Sequence, residues 1–457
     1  MLGLGDTGLS MTRWLARHGA RVSVADTRTE PPHAPILAAE LPDVRIESGG
    51  LSDRAFADVD AIALSPGLDP RASQIAAARR RGVPIVGDVE IFAQAINHAA
   101  IAQHMERPKI VAITGSNGKS TVTAMTGELA RASARRTVVA GNIGVPVLDA
   151  LMAIEEGEPW PDLFVLELSS FQLETTASLN ADAATVLNVT EDHLDRYDDI
   201  AAYGATKARV FEGSGTQILN RTDPRTLRMA RVGRAVSTFG PDSPRDTLEW
   251  GIIDSAMLAR GHESLLAVSQ IPVAGLHNAV NALAALALGD AIGLPMALML
   301  EGLQRFRGLP HRLEKVAEVE GVTFYDDSKG TNVGATVAAL NGMTMPVVLI
   351  AGGEGKGQNF SPLAAAVSAH ARAVVLIGRD ADRIERALVG CAVPILRANT
   401  LDEAIACAYA ASKTHDAVLL SPACASYDMF RSYVHRGQMF VQGVRALVVR
   451  EAQKAQP

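Results

Sequence analysis

The segment TGSNGKST at residues 114–121 most constrains what this chain can fold into. The apolar residues before it predict a short buried strand, its glycines predict a tight turn, and its Lys-Ser-Thr end predicts the start of a helix. Such a turn presents backbone N–H groups at a helix N-terminus, which binds anions. The common P-loop has a glycine where this chain has Ile113, so the loop is shorter than that pattern. The segment still predicts a nucleotide phosphate site.

Two side chains of this loop carry specific chemistry. Lys119 brings a mobile positive charge to a phosphate, and the Ser120 hydroxyl can ligate Mg²⁺. The predicted phosphate-binding residues are Gly115, Ser116, Asn117, Gly118, Lys119, Ser120 and Thr121.

The composition restricts the class of protein. The chain has 457 residues, so a length prior indicates about three domains. Its net charge is −7 and no basic stripe stands out, so we expect no nucleic-acid partner. No apolar run reaches the roughly 18 residues of a membrane span, and we see no signal peptide. Three cysteines without metal-type spacing fit a reducing cytoplasm.

The first stretch contains Gly3-x-Gly5-x-x-Gly8, followed by a helical pattern, a strand pattern and Asp26. This spacing matches a dinucleotide-binding fingerprint. The fingerprint should follow a strand, yet almost nothing precedes Gly3. Either the start of the given sequence is too late or the first strand is truncated, and we expect this domain to lack a full first strand. A nicotinamide or flavin cofactor, another phosphate-containing ligand and a purely structural turn all stay open here.

Further polar side chains follow the apolar strands of the middle region. Glu167 ends one strand, and His193 lies in the loop after another. Because ligands of open parallel sheets bind beyond the carboxyl ends of the strands, these loops and residues 115–120 predict one pocket. Glu167 is either a Mg²⁺ ligand or an exposed strand-end acid. His193 is either a metal or substrate contact or a structural histidine.

The last third of the chain repeats the alternation of strand, polar loop and helix. The loops are DDSKGTN at 326–332, GGEGK ending at Lys356, and SPACASYDMF at 421–430. The pattern predicts another mostly parallel sheet with flanking helices. Pro108 and the break GLPHR at 308–312 suggest boundaries. We therefore predict an α/β chain with domains at residues 1–105, 106–308 and 309–457.

Seven motifs taken together resemble the Mur ligase family of peptidoglycan synthesis, and they span the whole chain in order. They are TGSNGKST, ELSSFQLE (167–174), NVTEDHLDRY (188–197), GLHNAVNALAA (275–285), GLPHRLE (308–314), DDSKGTN and SPACASYDMF. The first and third motifs are shared across the family and with folylpolyglutamate synthetases. ELSSFQLE, DDSKGTN and SPACASYDMF resemble its D-glutamate-adding branch.

The resemblance implies a Rossmann-like first domain that holds a UDP sugar, a central P-loop ATPase-like domain, and a Rossmann-like C-terminal domain that binds the amino acid. The implied reaction joins D-glutamate to UDP-N-acetylmuramoyl-L-alanine through an acyl phosphate. ATP is the co-substrate, and two Mg²⁺ ions are expected. The resemblance also implies a cytoplasmic monomer that uses neither nucleic acid nor a membrane as a partner.

The resemblance carries roles onto matching residues. ATP would contact residues 115–121 with Asn278, His311, Arg312 and Asp327. Mg²⁺ would contact Ser120, Glu167, His193 and Lys207, the last as a carbamate. The UDP sugar would contact Asp6, Thr7, Thr27, Arg28, Ser65, Gly67, Asn142, Ser169 and His193. The amino acid would contact Lys329, Thr331, Lys356, Ser426, Phe430 and Tyr433. The expected catalytic residues are Lys119, His193, Lys207, Lys329 and Lys356.

Other functions stay open at this point. A related ligase could add L-glutamate or another amino acid, and a folylpolyglutamate synthetase-like ligase would share the ATP loop but usually lacks the first domain. A nucleotide-dependent regulator could keep the loop without ligation, although it would not need Lys329, Lys356 and Ser426. An NAD-dependent oxidoreductase rests only on residues 3–8 and Asp26.

Overall fold

The computed structural model describes residues 1–102, 104–273 and 275–454. The first region alternates short strands and helices around two two-stranded parallel sheets, β1–β2 and β3–β4. Its elements are α1 (Asp6–Arg17), β1 (Ser23–Asp26), α2 (Ala34–Glu40), β2 (Arg45–Ser48), β3 (Ile62–Ala63), α3 (Ser73–Arg80), β4 (Ile85–Val86) and α4 (Asp88–Ala102).

Leu2 lies where a strand before the Gly3 turn would run. Leu2 forms parallel bridges with both Ala25 of β1 and Leu64 next to β3, so it joins the two small sheets. Its N–H donates to the Ala63 carbonyl at 2.8 Å, and its carbonyl accepts from the Ser65 N–H at 2.9 Å. A one-residue bridge rather than a longer strand therefore joins the two small sheets at this place.

The central region is built on a nine-stranded sheet in the order β13-β12-β11-β10-β9-β8-β5-β7-β6. Strands β5 to β11 pair in parallel, and β12 and β13 add an antiparallel edge. The elements are β5 (Lys109–Thr114), α5 (Lys119–Ala132), β6 (Thr137–Gly141), α6 (Val147–Glu155), β7 (Leu163–Glu167), α7 (Ser170–Leu173), β8 (Ala183–Val186), α8 (Ile200–Ala208), β9 (Thr216–Asn220), α9 (Pro224–Leu227), β10 (Val236–Phe239), β11 (Glu249–Ile253), β12 (Met257–Arg260), β13 (Glu263–Ala267), α10 (Leu276–Ala291) and α11 (Met296–Arg305).

Strand β5 lies in the interior of this sheet, between β7 and β8. Its apolar residues are fully buried because helices cover both faces of the sheet. Helix α10, rich in Ala and Leu, packs with α5 on one face, where small side chains allow close approach. These contacts hold the loop between β5 and α5 at the carboxyl edge of the sheet.

The C-terminal region has a six-stranded sheet in the order β14-β15-β19-β16-β17-β18, parallel except for β14. Its elements are β14 (Glu314–Val319), β15 (Val322–Asp326), α12 (Val333–Asn341), β16 (Val347–Gly352), α13 (Leu363–His370), β17 (Ala371–Ile377), α14 (Ala381–Ala387), β18 (Ile395–Arg397), α15 (Leu401–Ala411), β19 (Ala417–Leu420) and α16 (Tyr433–Lys454). The α/β architecture predicted from the sequence is confirmed.

Helix α4 connects the first region to the central one. The sequence-based boundary assigns it to the first domain, but its residues Phe92 and Ile96 are fully buried in one apolar cluster with Phe164 of β7 and Leu151 of α6. The two regions therefore share part of a core. Within the described ranges, none of the helices has the length and apolar character that a membrane crossing requires.

Candidate active site

The loop between β5 and α5 is built to present backbone N–H groups. Gly118 is the N-cap of α5 with a φ of +83°, and Gly115 has a φ of +149°. A Cβ at Gly118 would lie 2.8 Å from the amide oxygen of Asn281, so glycine is needed for conformation and for space. Asn188, after β8, steadies the loop by accepting from the N–H groups of Ser116 and Asn117.

Lys119 is folded back over this loop. Its ammonium donates to the carbonyls of Gly115 and Ser116, both at 2.9 Å. Burial lowers the pKa of Lys119, while the charges of Glu167 and Asp192 oppose that shift. A phosphate on the loop would give the ammonium a stronger, charged acceptor.

Glu167 lies at the end of β7, beside β5, and is only 2% exposed. The alternative of an exposed strand-end acid is therefore excluded. One carboxylate oxygen accepts from the Asn142 amide at 2.8 Å, and the other, Oε2, is buried without a hydrogen-bond partner among the described residues. A buried carboxylate oxygen with no protein partner fits a Mg²⁺ ligand, because hard cations take carboxylate oxygens.

His193 and Lys207 lie near this carboxylate. Burial lowers the pKa of the His193 imidazole, although Asp192 opposes the shift, so the ring tends toward the neutral form that binds metals. Lys207 is 1% exposed, with its amine 3.4 Å from the Thr114 hydroxyl and 4.5 Å from the centre of the Tyr203 ring. Burial, assisted by Lys119, lowers the pKa of Lys207 well below its ordinary value. A neutral amine is the form that can take up CO₂ as a carbamate.

The C-terminal region closes directly onto the phosphate loop. Arg312 donates to the Ser120 hydroxyl at 2.6 Å, and the Asn332 amide donates to Asn117 at 3.0 Å and to Asp192 at 3.1 Å. Asn332 is also the N-cap of α12. These bonds connect residues more than 100 positions apart, so the two regions form one enclosed site.

Two titratable groups on the C-terminal side have shifted pKa values. Burial lowers the pKa of Lys329 to about 8, helped by the nearby Arg312 charge. The Lys329 ammonium lies 3.8 Å from the centre of the Tyr433 ring. Burial raises the pKa of Asp327 to about 7, although its carboxylate accepts from the Ser421 hydroxyl. Both shifts reflect the water-poor wall of this site.

These groups share one cavity of about 500 Å³. The predicted residues that line it are Ser116, Asn117, Gly118, Lys119, Ser120, Thr121, Asn142, Glu167, Ser169, His193, Lys207, Asn278, Arg312, Asp327, Lys329, Thr331, Lys356, Ser426 and Tyr433. Five lysine and arginine side chains against three carboxylic side chains favour anionic ligands. The cavity is also lined by Asn281 and by residues to which the sequence reasoning gave no role, namely Asn188, Asp192, Tyr203, His277, Asn332 and Tyr427.

The remaining predicted residues lie elsewhere. Gly115, His311 and Phe430 do not line the cavity. Gly115 lies at the start of the loop, His311 is paired with Asp326 at 2.7 Å, and Phe430 packs against the C-terminal core. The first-region residues Asp6, Thr7, Thr27, Arg28, Ser65 and Gly67 do not line this cavity. They follow Leu2, β1 and β3 at the carboxyl edge of the small sheets.

In the first region a charged pair organises this edge. Asp26 accepts from the Leu4 N–H at 2.6 Å and from the Arg28 guanidinium at 2.6 and 2.9 Å. The Arg28 contact lowers the pKa of Asp26 to about 2, so the carboxylate stays ionised. The edge therefore presents an arginine held in a defined position beside a glycine turn.

The fold and the cavity shared by the phosphate loop and the C-terminal region define a nucleotide-binding enzyme of several α/β domains. Three family descriptions match the chain in order: "Mur ligase MurD-like, N-terminal domain" at residues 1–87, "Mur ligase middle domain" at 113–289 and "Mur ligase, glutamate ligase domain" at 311–424. The chain belongs to the Mur ligase family.

Comparison with individual proteins shows which members of the family this chain is similar to. The chain is 55% identical to the UDP-N-acetylmuramoylalanine--D-glutamate ligase of Thiobacillus denitrificans, covering 99% of this chain and 97% of the relative. It is 52% identical to the same-named protein of Nitrosomonas europaea, over 98% and 96%. Its fold resembles MurC from Thermotoga maritima (TM-score 0.58, 19% identity, 98% of both chains) and a pseudomurein peptide ligase from Methanothermus fervidus (TM-score 0.59, 17% identity, 98% and 99%).

Proposed function

We propose that this chain is an ATP-dependent ligase that joins D-glutamate to UDP-N-acetylmuramoyl-L-alanine in peptidoglycan precursor synthesis. The observation that carries the proposal is one cavity in which the phosphate loop with Lys119 meets Lys329 and Lys356 of the C-terminal region. Curated relatives that are about as long as this chain and bear that activity in their name support the substrate assignment.

The proposed reaction has two steps. The γ-phosphoryl group of ATP is transferred to the terminal carboxylate of the UDP-linked substrate, which turns a poor leaving oxygen into phosphate. The amine of D-glutamate then attacks the acyl phosphate, and the tetrahedral adduct collapses to an amide with release of phosphate. The backbone of residues 115–121 and Lys119 hold the transferring group and neutralise its charge.

The acidic side of the cavity fits Mg²⁺. Ser120, Glu167, His193 and a carbamate on Lys207 would hold the two expected ions, which neutralise phosphate charge when bound. The partnerless Oε2 of Glu167 supports this assignment. An unmodified ammonium at Lys207 would repel such ions, whereas its lowered pKa favours carbamylation.

The positions of the other residues support the following roles. Asn278, Arg312 and Asp327 would contact ATP from the cavity wall. His311 would also contact ATP, from its position outside that wall beside Asp326. Lys329, Thr331, Lys356, Ser426 and Tyr433 would face the carboxylates of glutamate. Phe430, which packs against the C-terminal core, would support these amino-acid-binding residues from behind. Asn142 and Ser169 would meet the peptide end of the UDP-linked substrate.

We further propose that residues 1–105 bind the UDP sugar, 106–308 bind ATP and 309–457 bind the amino acid. Both halves of the cavity come from a single chain, which supports a monomer. ATP and UDP sugars are cytoplasmic metabolites, and three free cysteines fit a reducing compartment.

A panel of amino acids tests the proposed function. Phosphate release should require ATP, Mg²⁺, UDP-N-acetylmuramoyl-L-alanine and D-glutamate together, and chelation of Mg²⁺ should stop it. Better turnover with L-glutamate, meso-diaminopimelate or D-alanyl-D-alanine would show that the amino-acid assignment is wrong. Phosphate release that ignores all amino acids would favour a regulatory nucleotide-binding protein instead.

A further inference from the structure

Arg196, three residues after His193, makes contacts that the proposed reaction does not use. Its side chain is only 9% exposed. One guanidinium nitrogen donates to the Leu68 carbonyl at 2.9 Å and to the Glu174 carboxylate at 2.5 Å. Leu68 belongs to the turn after β3 in the first region, whereas Glu174 follows α7 in the central region. Arg196 therefore bridges the two regions from a buried position.

The same guanidinium also reaches the metal side of the cavity through an aromatic ring. Its central carbon lies 4.4 Å from the centre of the Phe171 ring, and that ring packs edge-on against the His193 imidazole at 4.8 Å. The His193 carbonyl in turn accepts from the N–H groups of Arg196 and Tyr197, at 2.9 and 3.1 Å. Arg196 therefore restrains His193 through its ring neighbour and through its main chain.

His193 needs this support because its backbone has a φ of +55°, which non-glycine residues rarely adopt. Such a conformation persists where surrounding contacts over-determine it. The contacts from Arg196 and Tyr197 are of that kind.

The connection between the two regions is reciprocal. Arg71, just before α3 in the first region, donates to the main-chain carbonyl of Arg196 and pairs with Asp198 at 3.2 Å. Each region thus extends an arginine onto the backbone of the other, next to the turn that contains Ser65 and Gly67. Backbone contacts transmit position more directly than contacts between mobile side-chain ends.

We propose that Arg196 is a positioning residue that couples the turn at residues 65–68 to the orientation of His193. The proposal rests on the proposed function, in which that turn contacts the UDP sugar and His193 contacts the metal and the substrate. Binding of the UDP portion would steady the turn, and the turn would hold Arg196, Phe171 and His193 in place. Binding of the UDP portion of the substrate would thereby orient the site at which the substrate carboxylate reacts.

The chain offers a matched control on the same boundary. Arg17 of α1 pairs with Glu155 at the end of α6 and with the next residue, Glu156, at 2.9 and 2.6 Å. These side chains are 32–63% exposed and lie outside the cavity wall. Arg17→Ala removes an arginine bridge between the same two regions without touching Phe171 or His193. It reports what the loss of an interdomain ion pair does by itself.

The test compares Arg196→Ala, Arg196→Lys and Arg17→Ala by calorimetric binding of UDP-N-acetylmuramoyl-L-alanine without ATP or Mg²⁺. Arg196→Ala should weaken this binding about ten- to hundredfold, the factor that one charged hydrogen-bond network represents, and lower kcat as well. Arg17→Ala should stay within about twofold of the unmodified protein, as exposed pairs do. ATP affinity should be unchanged in all three.

Arg196→Lys separates a loss of stability from a loss of substrate affinity. Lysine retains the charge and one hydrogen bond but not the flat group over Phe171, so it should restore the unfolding temperature without restoring substrate affinity. The proposal would be overturned if Arg196→Ala and Arg196→Lys weakened the binding of ATP as much as that of the UDP substrate. It would also be overturned if Arg196→Ala bound the UDP substrate as tightly as Arg17→Ala does. Inactivity of the unmodified protein with D-glutamate would instead refute the proposed function.

Discussion

Two glycine turns in this molecule have the same local design and different surroundings. Residues 3–8 form the turn before α1 and the first residues of that helix, and residues 115–118 lead into α5. In the first turn Gly3 has a φ of +86°, and a Cβ on Gly8 would lie 1.9 Å from the Gly3 carbonyl oxygen. In the second turn Gly118 has a φ of +83°. Both turns therefore need glycine for the same steric reasons.

The difference lies in the charges that other segments bring. At the first turn the Leu4 N–H is already bound to the ionised Asp26, and Arg28 compensates that charge. At the second turn Lys119 and Arg312 lie in a closed cavity with Lys207. A glycine turn before a helix is thus a general anion site, and its neighbours decide which ligand it binds and whether chemistry occurs there.

Among substitutions at the two turns and their neighbours, we expect Lys119→Ala to lower activity most. Loss of the ammonium should lower kcat by at least about 10²- to 10³-fold, the scale of removing one group that stabilises transition-state charge. Steady-state phosphate release measures it. Lys109→Ala is the control, because Lys109 begins β5, the strand that leads into this loop, but is half exposed and pairs with Asp182. Near-normal turnover of Lys119→Ala would contradict the phosphate role.

Lys207→Ala should have the next largest effect. We expect a loss of about 10²-fold or more, because a carbamate that holds a metal would be gone. Added short carboxylates such as formate should restore part of the activity. An independent readout is a carbamate signal in ¹³C NMR after exposure to ¹³C-bicarbonate, present in the unmodified protein and absent from the variant. Wild-type-like activity of Lys207→Ala would exclude the carbamate.

The third prediction concerns pH. Lys329, with a pKa of about 8, is positively charged below that pH and loses its charge above it. Binding of D-glutamate should therefore be constant below about pH 7.5 and weaken by up to about tenfold per pH unit well above pH 8. Calorimetry with the UDP substrate and a non-hydrolysable ATP analogue measures this. Lys329→Arg, which stays charged, should flatten the slope; an unchanged slope would assign the titration to another group.

Arg28→Ala should have the smallest effect. Its guanidinium is about half exposed, so we expect the KM for the UDP substrate to rise about fivefold while kcat is retained. The control is Arg13→Ala, which breaks the Arg13–Glu40 pair in the same region. A fall in kcat without a change in KM would show that the first turn participates in the chemistry, and the contrast between the two turns would disappear.

The sequence predicted the strands that lead into the site because they are continuous apolar runs. It did not predict β9 to β13, which extend the central sheet and include a hairpin edge. Those strands have four or five residues each and only partial burial, as in Glu263–Ala267 of β13, so neither periodicity nor composition marks them. Their pairing depends on neighbours rather than on local pattern.

The site shows the same division. Glycine spacing and the GKST end were enough to predict phosphate binding, because the turn and the helix N-terminus are local structures. The buried Oε2 of Glu167, which has no hydrogen-bond partner in the described part of the chain, could not be predicted that way, nor could the lowered pKa of Lys207 or the bridge made by Arg196. Each of them depends on burial and on contacts between residues far apart in the chain.

By itself, then, the sequence determined the two glycine turns, the α/β class and the order of the chemistry-bearing loops, because short-range sterics and hydrophobic period set them. Only the tertiary structure decided which loops share a cavity and which residues lose water. It placed Arg312 and Asn332 on the phosphate loop and left residues 3–8 on a separate edge. Desolvation and charge proximity arise from packing, so the chemistry of the second turn depends on the closed fold.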